Sequence, residues 1–342
     1  MFVKSCVSML YYLRLVGEEY TVTRRTIEYL MKRIIFAGTP QHAVPFLEAL
    51  SRSEWKPIAV ISQPDRPAGR SHRIESTPTK HCAIEYSIPI LQPENINDPE
   101  FLKVLESLKP DLMVVVAYGQ ILRNNILDIP THGCINVHFS LLPSYRGASP
   151  VQEAILNGDA ETGVTIIQMD ALLDHGPILS QIKVTVDSSD TAQTLREKLS
   201  IKGGQLLLET VEKIFAGTLS PKAQNESQMT GTRRLTRDTG RIDWSKSAVA
   251  IERMVRALNP WPGIWTVCDG KRIKILKGNF VDEETTKNGI CGTFLSNATH
   301  PLAIRCGKGL LEIHELQIEG KKPLTAQQFL HGYEHILTKN CL

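Results

Sequence analysis

The sequence lacks the cysteine patterns on which disulfide frameworks and zinc sites depend. Its seven cysteines are scattered and odd in number, and no two are spaced C-x-x-C. These features argue against a disulfide-stapled secreted protein and against a structural zinc site. They favour a reducing compartment, so we expect a cytoplasmic protein without a metal.

Long hydrophobic runs and a strong charge bias are also missing. No apolar stretch approaches the ~20 residues that span a bilayer, so no membrane association is expected. The 342 residues are 42% hydrophobic and 22% charged, which is typical of a globular protein with about two domains. A net charge of +3 permits nucleic-acid binding without requiring it.

Phosphate-binding motifs are absent as well. The FAGTP turn at residues 36–40 has neither the G-x-G-x-x-G pattern of dinucleotide-binding folds nor the Gly-Lys-Ser/Thr of a P-loop. A dehydrogenase and an NTP-driven enzyme are therefore both disfavoured.

Residues 1–30 differ in pattern from the rest of the chain. The run MFVKSCVSMLYYLRLV is faintly similar to a signal peptide, but Glu18 and Glu19 come next and no small-residue cleavage site is present. The globular pattern begins at Met31 with MKRIIFAGTP. We predict that residues 1–30 form an extension outside the fold.

From residue 31 to 216, short apolar strands alternate with amphipathic helices. Strands are predicted at 33–38, 57–62, 110–119 and 133–138, with helices at 43–53 and 101–108. This rhythm is typical of an α/β fold with a doubly wound, mostly parallel, Rossmann-like sheet. Strands at 163–170 and 176–186 come next without an intervening helix and predict an antiparallel extension.

Beyond residue 216 the pattern changes. Residues 217–240 are polar and predict a linker, and a short helix is expected at 248–258. Several short strands separated by glycine turns come after it, and they indicate a small OB-like β-barrel as a C-terminal domain over 241–342.

Polar side chains gather where the predicted parallel strands end. Asn136 and His138 project from one face of a strand because residues two apart share a face. Tyr118 and Gly119 follow the preceding strand, and ligands bind beyond the carboxyl ends of such strands. Asp174, in LLDHGPIL, supplies a carboxylate.

An amide, an imidazole and a carboxylate together can manage addition to a carbonyl. The amide donates to the developing oxyanion, the imidazole moves a proton, and the carboxylate orients the imidazole. His175 adjoins Asp174 and competes for the role of partner. In isolation, an Asn and a His at a strand end more often satisfy the backbone of a loop than take part in catalysis.

Eight ordered segments give these residues a context. The chain contains IIFAGTP, QPDRPAGR, DLMVVVAYGQIL, GCINVHFSLLPSYRGASPVQ, NGDAETGVTIIQMD, LLDHGPIL, RIDWSKSAVAIERMVRALNPWPG and GKRIKI. In order and spacing they resemble the methionyl-tRNA formyltransferase family. The resemblance implies formyl transfer from 10-formyltetrahydrofolate to the methionine of initiator Met-tRNA, in translation initiation, and it implies no metal.

The resemblance also implies roles for individual residues. It implies that Asn136, His138 and Asp174 are catalytic. It also implies a loop that lines the folate site, Ser140, Leu141, Leu142 and Pro143, and a pair of residues near the pterin, Tyr118 and Gly119. One departure is Phe139, which stands where the family usually has glycine. A phenylalanine there would be strained if the backbone required positive φ.

The acceptor is expected to bind through basic residues. The resemblance implies that the long loop 63–80 reaches the tRNA and that Arg66 and Arg70 contact it, although length alone would fit a solvated surface loop equally well. Residues 231–280 carry eleven Lys/Arg against four acids, a surplus of 11 − 4 = +7. Three tryptophans could stack on bases, although packing between domains is favoured: Trp244, Trp261 and Trp265.

Two rival functions stay open on the sequence alone. A formyltransferase for a small amine would not need the basic second domain, and a non-catalytic RNA-binding relative would not need the catalytic set. We expect a monomer.

Overall fold

The computed structural model describes residues 11–15, 18–22, 32–68, 73–282 and 290–341. Of the N-terminal extension, only strands β1 (Tyr11–Leu15) and β2 (Glu18–Val22) are described, and they form an antiparallel two-stranded sheet of their own. The prediction for residues 1–30 otherwise falls outside the described residues, and so does Arg70.

Two compact units make up the described chain. The first comprises the described residues up to His138 together with Val164–Ile182 and Leu199–Glu226. The second comprises Phe139–Gly163, Lys183–Lys198 and the described residues from Ser227 onward.

Up to residue 216, strands and helices alternate as predicted. The elements are β3 (Ile34–Gly38), α1 (Val44–Ser51), β4 (Ala59–Ile61), β5 (Arg66–Ala68), β6 (Arg73–Glu75), α2 (Pro78–Glu85), β7 (Ile90–Leu91), α3 (Pro99–Ser107), β8 (Leu112–Val116), α4 (Asn124–Leu127), β9 (Cys134–His138), α5 (Pro150–Asn157), β10 (Glu161–Gln168), β11 (Ile178–Thr185) and α6 (Ala192–Ala216).

One seven-stranded sheet organises this part, in the order β11-β10-β9-β8-β3-β4-β7. The pairs from β9 to β7 are parallel, whereas β10 pairs antiparallel with β9. Every residue of β3 and β8 is buried, as expected of parallel strands covered on both faces. The mostly parallel α/β sheet with an antiparallel extension is therefore confirmed.

A glycine explains why α6 can lie close to α1. A Cβ at Gly203 would come within 2.7 Å of the Phe46 ring. Gly203, the first of two adjacent glycines inside this long helix, thus allows a close approach, and the helix continues through both.

The C-terminal part is antiparallel. Its elements are α7 (Ala248–Leu258), β12 (Ile264–Cys268), β13 (Lys271–Val281), β14 (Phe294–Leu295), β15 (Ala303–Arg305), β16 (Leu310–Ile318), β17 (Leu324–Thr325) and α8 (Ala326–Gly332). The strand path runs β12-β13-β16-β15-β14, with β17 on β16. Single bridges join Cys341 to Cys268 and Asn340 to Thr293, beside the two outer strands. The antiparallel domain is confirmed, and its closure into a barrel stays a prediction.

Candidate active site

Strand β9 delivers Asn136 and His138 to its carboxyl end. Ile135 and Val137 are buried and alternate along the strand with Asn136 and His138, so the two pairs of side chains leave opposite faces. The strand lies between β8 and β10, with Asn136 opposite Ile167 and His138 opposite Thr165 on the antiparallel side. The two polar side chains therefore leave one face of a central strand, as predicted.

Asp174 lies on the turn between β10 and β11. Its φ of +49° is in the left-handed region, which aspartate tolerates better than most residues. The amide of Gln224 holds the turn by donating to the carbonyls of Asp174 and Gly176, each at 2.8 Å. A Cβ at Gly176 would lie 1.8 Å from the carbonyl oxygen of Gln168, so only glycine fits there.

The Asp174 carboxylate bridges the two β9 side chains. Asn136 Nδ2 donates to Asp174 Oδ1 at 3.1 Å, and His138 Nδ1 lies 3.5 Å from Asp174 Oδ2. The His138 and Asp174 side chains are only 6% and 9% exposed. At this depth the carboxylate acts strongly on the amide and the ring because solvent screens it little.

His175, the competing partner, turns elsewhere. Its Nδ1 lies 2.6 Å from Asp170 Oδ2, its Nε2 lies 3.7 Å from Glu226, and its side chain is 38% exposed. The structure therefore pairs Asp174 with His138 and leaves His175 to a separate carboxylate.

The main chain of Tyr118, and not its ring, contacts polar side chains. The Tyr118 carbonyl accepts from Thr39 Oγ1 at 3.0 Å and from Gln63 Nε2 at 3.2 Å. The ring belongs to the apolar core around Ile35 and Met113, where the hydroxyl has no hydrogen-bond partner among the described residues. Burial raises the pKa of the Tyr118 hydroxyl. The neighbouring Gly119 has φ +94°.

The loop after β9 carries the remaining predicted folate residues. Ser140 is fully buried and its hydroxyl donates to the Ser144 carbonyl at 2.6 Å. Leu142 is buried, whereas Leu141 and Pro143 are half-buried. Phe139 is buried and does not have a positive φ, so the backbone strain considered for a residue replacing glycine does not arise.

The predicted tRNA loop forms a small hairpin of β5 and β6. Arg66, in β5, makes an ion pair with Glu94, and both side chains are largely exposed. At the base of the hairpin, Asp65 accepts from Gln92 at 2.7 Å and from Lys80 at 2.6 Å. These hydrogen bonds lower the pKa of the Asp65 carboxyl to about 2.

The three tryptophans differ in exposure. Trp244 and Trp265 are buried and donate to Thr266 Oγ1 and the Arg237 carbonyl, each at 3.0 Å. Both rings are therefore packed, and these partners belong to the same compact unit as the tryptophans, so packing between domains stays a prediction. Trp261 is 58% exposed. It is the one of the three whose ring is accessible to a base.

Gln224 is a residue that sequence reasoning missed. It lies in the polar stretch 217–240, where no periodicity or motif marks one amide among many polar side chains. Its role follows only from the structure, in which its side-chain amide donates hydrogen bonds to two carbonyls of the turn that carries Asp174.

Two kinds of feature are absent from the described part of the chain. Within it, no cluster of three or more His, Cys, Asp or Glu side chains is placed to hold a metal ion. No helix there has both the length and the apolar character needed to cross a membrane.

Two family models match the sequence. One, described as formyl transferase, matches residues 31–211, and the other, described as formyl transferase C-terminal domain, matches residues 234–334. The first alone covers more than half of the chain.

Solved structures share the fold at low identity. The N-formyltransferase from Helicobacter canadensis, in complex with folinic acid and dTDP-3-aminofucose, aligns with a TM-score of 0.63 and 21% identity, covering 83% of this chain and 99% of that chain. HypX from Aquifex aeolicus, in complex with tetrahydrofolic acid, aligns with a TM-score of 0.58 and 16% identity, covering 87% and 46%.

Curated relatives are much more similar. The methionyl-tRNA formyltransferase of Nitrosomonas eutropha is 42% identical over 88% of this chain and 95% of its own length. That of Marinobacter nauticus is 40% identical over 89% and 97%. With this identity over nearly the full length of both, the chain belongs to the methionyl-tRNA formyltransferase family.

Proposed function

We propose that this enzyme transfers the formyl group of 10-formyltetrahydrofolate to the α-amino group of methionyl initiator tRNA. The observation that carries the proposal is the buried set of Asn136, His138 and Asp174, in which one carboxylate contacts an amide and an imidazole. Formyl transfer to an amine needs a hydrogen-bond donor for the oxyanion and a proton acceptor for the amine, and this set supplies both.

His138 is assigned the proton transfer. Attack of the amine on the formyl carbon forms a C–N bond and releases a proton, while the bond from the formyl carbon to folate N10 breaks and N10 gains a proton. Asp174 faces Nδ1 of the ring, so Nε2 is the atom that takes the proton from the amine and passes it to N10 as the bond between N10 and the formyl carbon breaks. The 3.5 Å separation is long for a hydrogen bond, as catalytic contacts often are without substrate.

Asn136 is assigned the developing oxyanion. A side-chain amide has two N–H donors, and the donation of one to Asp174 fixes the rotation of the amide group. The second N–H then points in a defined direction and stabilises the charge as it forms.

We assign the folate site to Ser140, Leu141, Leu142 and Pro143, with the main chain of Tyr118 and Gly119. Three properties of this chain support the assignment. The loop follows His138 directly in sequence, and Leu141 and Pro143 retain exposed apolar surface. Among the described residues, a Cβ at Gly119 would meet only the Gln63 side chain, at 3.8 Å, so the main chain there is open to a ligand.

We assign residues 31–216 to the catalytic domain, 217–240 to a linker and 241–342 to a tRNA-binding domain. The excess of positive charge at 231–280 supports the last assignment because phosphate contacts dominate binding to nucleic acids. Arg66 and Arg70 are proposed to contact the tRNA as well. The Arg66–Glu94 pair is exposed and therefore weak, so a phosphate can compete with Glu94.

A monomer and a cytoplasmic location stay predictions. The six described cysteines are free thiols, which supports a reducing compartment. A solution mass near 38.2 kDa would support the monomer.

The test is formyl transfer by the purified full-length protein from 10-formyltetrahydrofolate. Methionine-charged initiator tRNA, methionine-charged elongator tRNA and a small-amine acceptor, glycinamide ribonucleotide, are offered separately. We expect transfer to the initiator tRNA alone. Transfer only to the small amine would overturn the acceptor but keep the catalytic set, and no transfer to any acceptor would overturn the function.

A further inference from the structure

The loop between β9 and α5 receives much of its support from a distant segment. It runs from Phe139 to Ser149, and two of its residues, Tyr145 and Gly147, have positive φ values of +65° and +116°. Residues Thr230–Thr232, more than 80 positions later in the stretch predicted as a linker, lie alongside it in a parallel bridge between Arg146 and Gly231.

Three main-chain hydrogen bonds join the two segments. Thr230 N–H donates to the Pro143 carbonyl at 3.3 Å, Arg146 N–H donates to the Thr230 carbonyl at 2.8 Å, and Thr232 N–H donates to the Arg146 carbonyl at 2.7 Å. These bonds fix the position of Thr230–Thr232 regardless of its side chains.

Two threonine hydroxyls then hold the loop. Thr230 Oγ1 accepts from Tyr145 N–H at 2.8 Å, and Thr232 Oγ1 accepts from Ser149 N–H at 3.1 Å. Tyr145 is a non-glycine residue in the left-handed region, so its backbone depends on such contacts to stay there. Thr232 also fits against Gly147, where a Cβ would lie 2.6 Å from Thr232 Oγ1.

We propose that Thr230 and Thr232 are positioning residues for the formyl donor. They act through the loop, whose residues Ser140–Pro143 are assigned to the folate site, and the inference rests on that proposed function. The consequence is selective. Loss of the Thr230 hydroxyl removes this acceptor from the Tyr145 amide and loosens the loop, which weakens donor binding but leaves Asn136, His138, Asp174 and the contacts to the tRNA intact.

The decisive variant is Thr230→Val, which keeps the shape of the side chain and removes the acceptor. Thr230 is exposed, so the change does not disturb a core. Thr230→Ser retains the hydroxyl and tests rescue. Thr218→Val makes the same chemical change at another exposed threonine of the same stretch and serves as the matched control.

Hydrogen exchange of the free protein tests the contact without any assumption about activity. We expect the Tyr145 amide to exchange about ten times faster in Thr230→Val than in the parent, and at the parental rate in Thr230→Ser and Thr218→Val. Unchanged exchange in Thr230→Val would overturn the contact itself.

Steady-state kinetics test the consequence. We expect Thr230→Val to raise the KM for 10-formyltetrahydrofolate about fivefold to tenfold, with kcat and the KM for Met-tRNA near parental values and with rescue by Thr230→Ser. Faster exchange with an unchanged donor KM would overturn the positioning role and leave the proposed function standing. Parental protein that binds folate but transfers no formyl group would instead refute the proposed function.

Discussion

Replacement of Asp174 by asparagine is the sharpest test of the catalytic set. Asparagine has the same shape, and it tolerates the left-handed φ of +49° at this position. The change removes the negative charge that lies 3.5 Å from His138 Nδ1, and it replaces an acceptor of the Asn136 amide with a group that both donates and accepts. Backbone and packing are preserved while the chemistry changes.

The size of the effect follows from these contacts. A hydrogen bond to a charged group contributes about 1.5–3 kcal/mol, and a positioned acid–base group contributes roughly 10²- to 10⁴-fold in rate. We expect kcat for formyl transfer to fall at least about 100-fold, equivalent to about 2.7 kcal/mol of transition-state stabilisation. KM values for both substrates should change little because the side chain is assigned to the reaction and not to binding.

Asp170→Asn is the matched control. Asp170 lies in the same turn and pairs with His175 at 2.6 Å, so the same substitution removes a carboxylate–histidine contact, a more exposed one, without touching His138. The assay is steady-state formylation of Met-tRNA, which gives kcat and both KM values, with circular dichroism melting to confirm folding. The reasoning is refuted if Asp174→Asn keeps kcat within about fivefold of the parent, or if Asp170→Asn loses as much as Asp174→Asn does.

Three further predictions use other contacts. Tyr118→Phe removes a buried hydroxyl without a partner among the described residues, so the free energy of unfolding should be unchanged or raised by about 1 kcal/mol in urea melts; a clear loss of stability would contradict the core placement. Asp65 has a pKa lowered to about 2 from 3.8, so its contribution to stability is full above about pH 4 and is lost as the pH falls toward 2. Asp65→Asn should therefore reduce the loss of stability between about pH 4 and pH 2 in pH-dependent melts. An unchanged loss of stability would show that other carboxyls cause it. Glu94→Gln frees Arg66 for phosphate and should lower the KM for Met-tRNA, whereas Arg66→Gln should raise it severalfold and make it less dependent on salt; no change in either variant would remove Arg66 from the tRNA site.

Local pattern predicts the sheet and part of the site. The strands β3 and β8 are expected because continuous apolar runs mark parallel strands buried on both faces. A period of two places Asn136 and His138 on one face of β9. The strain considered at Phe139 depends on a backbone angle, and a family pattern alone does not determine that angle.

Local sequence pattern does not predict contacts between distant segments. Spacing does not separate His138 from His175 as the partner of Asp174, since both are plausible until the turn is placed. The geometry of the turn selects His138: the φ of +49° at Asp174 and the hydrogen bonds from Gln224 to two carbonyls of the turn direct the carboxylate to β9. The ring of Tyr118 likewise joins the apolar core, although its neighbours in sequence suggest a polar crevice.

The amino-acid sequence by itself determined the α/β class, the family and the identity of the side chains proposed as catalytic, because periodicity and short motifs are local properties of a chain. The tertiary structure alone decided which carboxylate meets which histidine, where the Tyr118 ring lies, and that Thr230–Thr232 supports the loop after β9. These outcomes join residues far apart in sequence, for example Asn136 with Asp174 and Pro143 with Thr230. Such pairings depend on how whole elements pack, and side-chain spacing along the chain does not encode them.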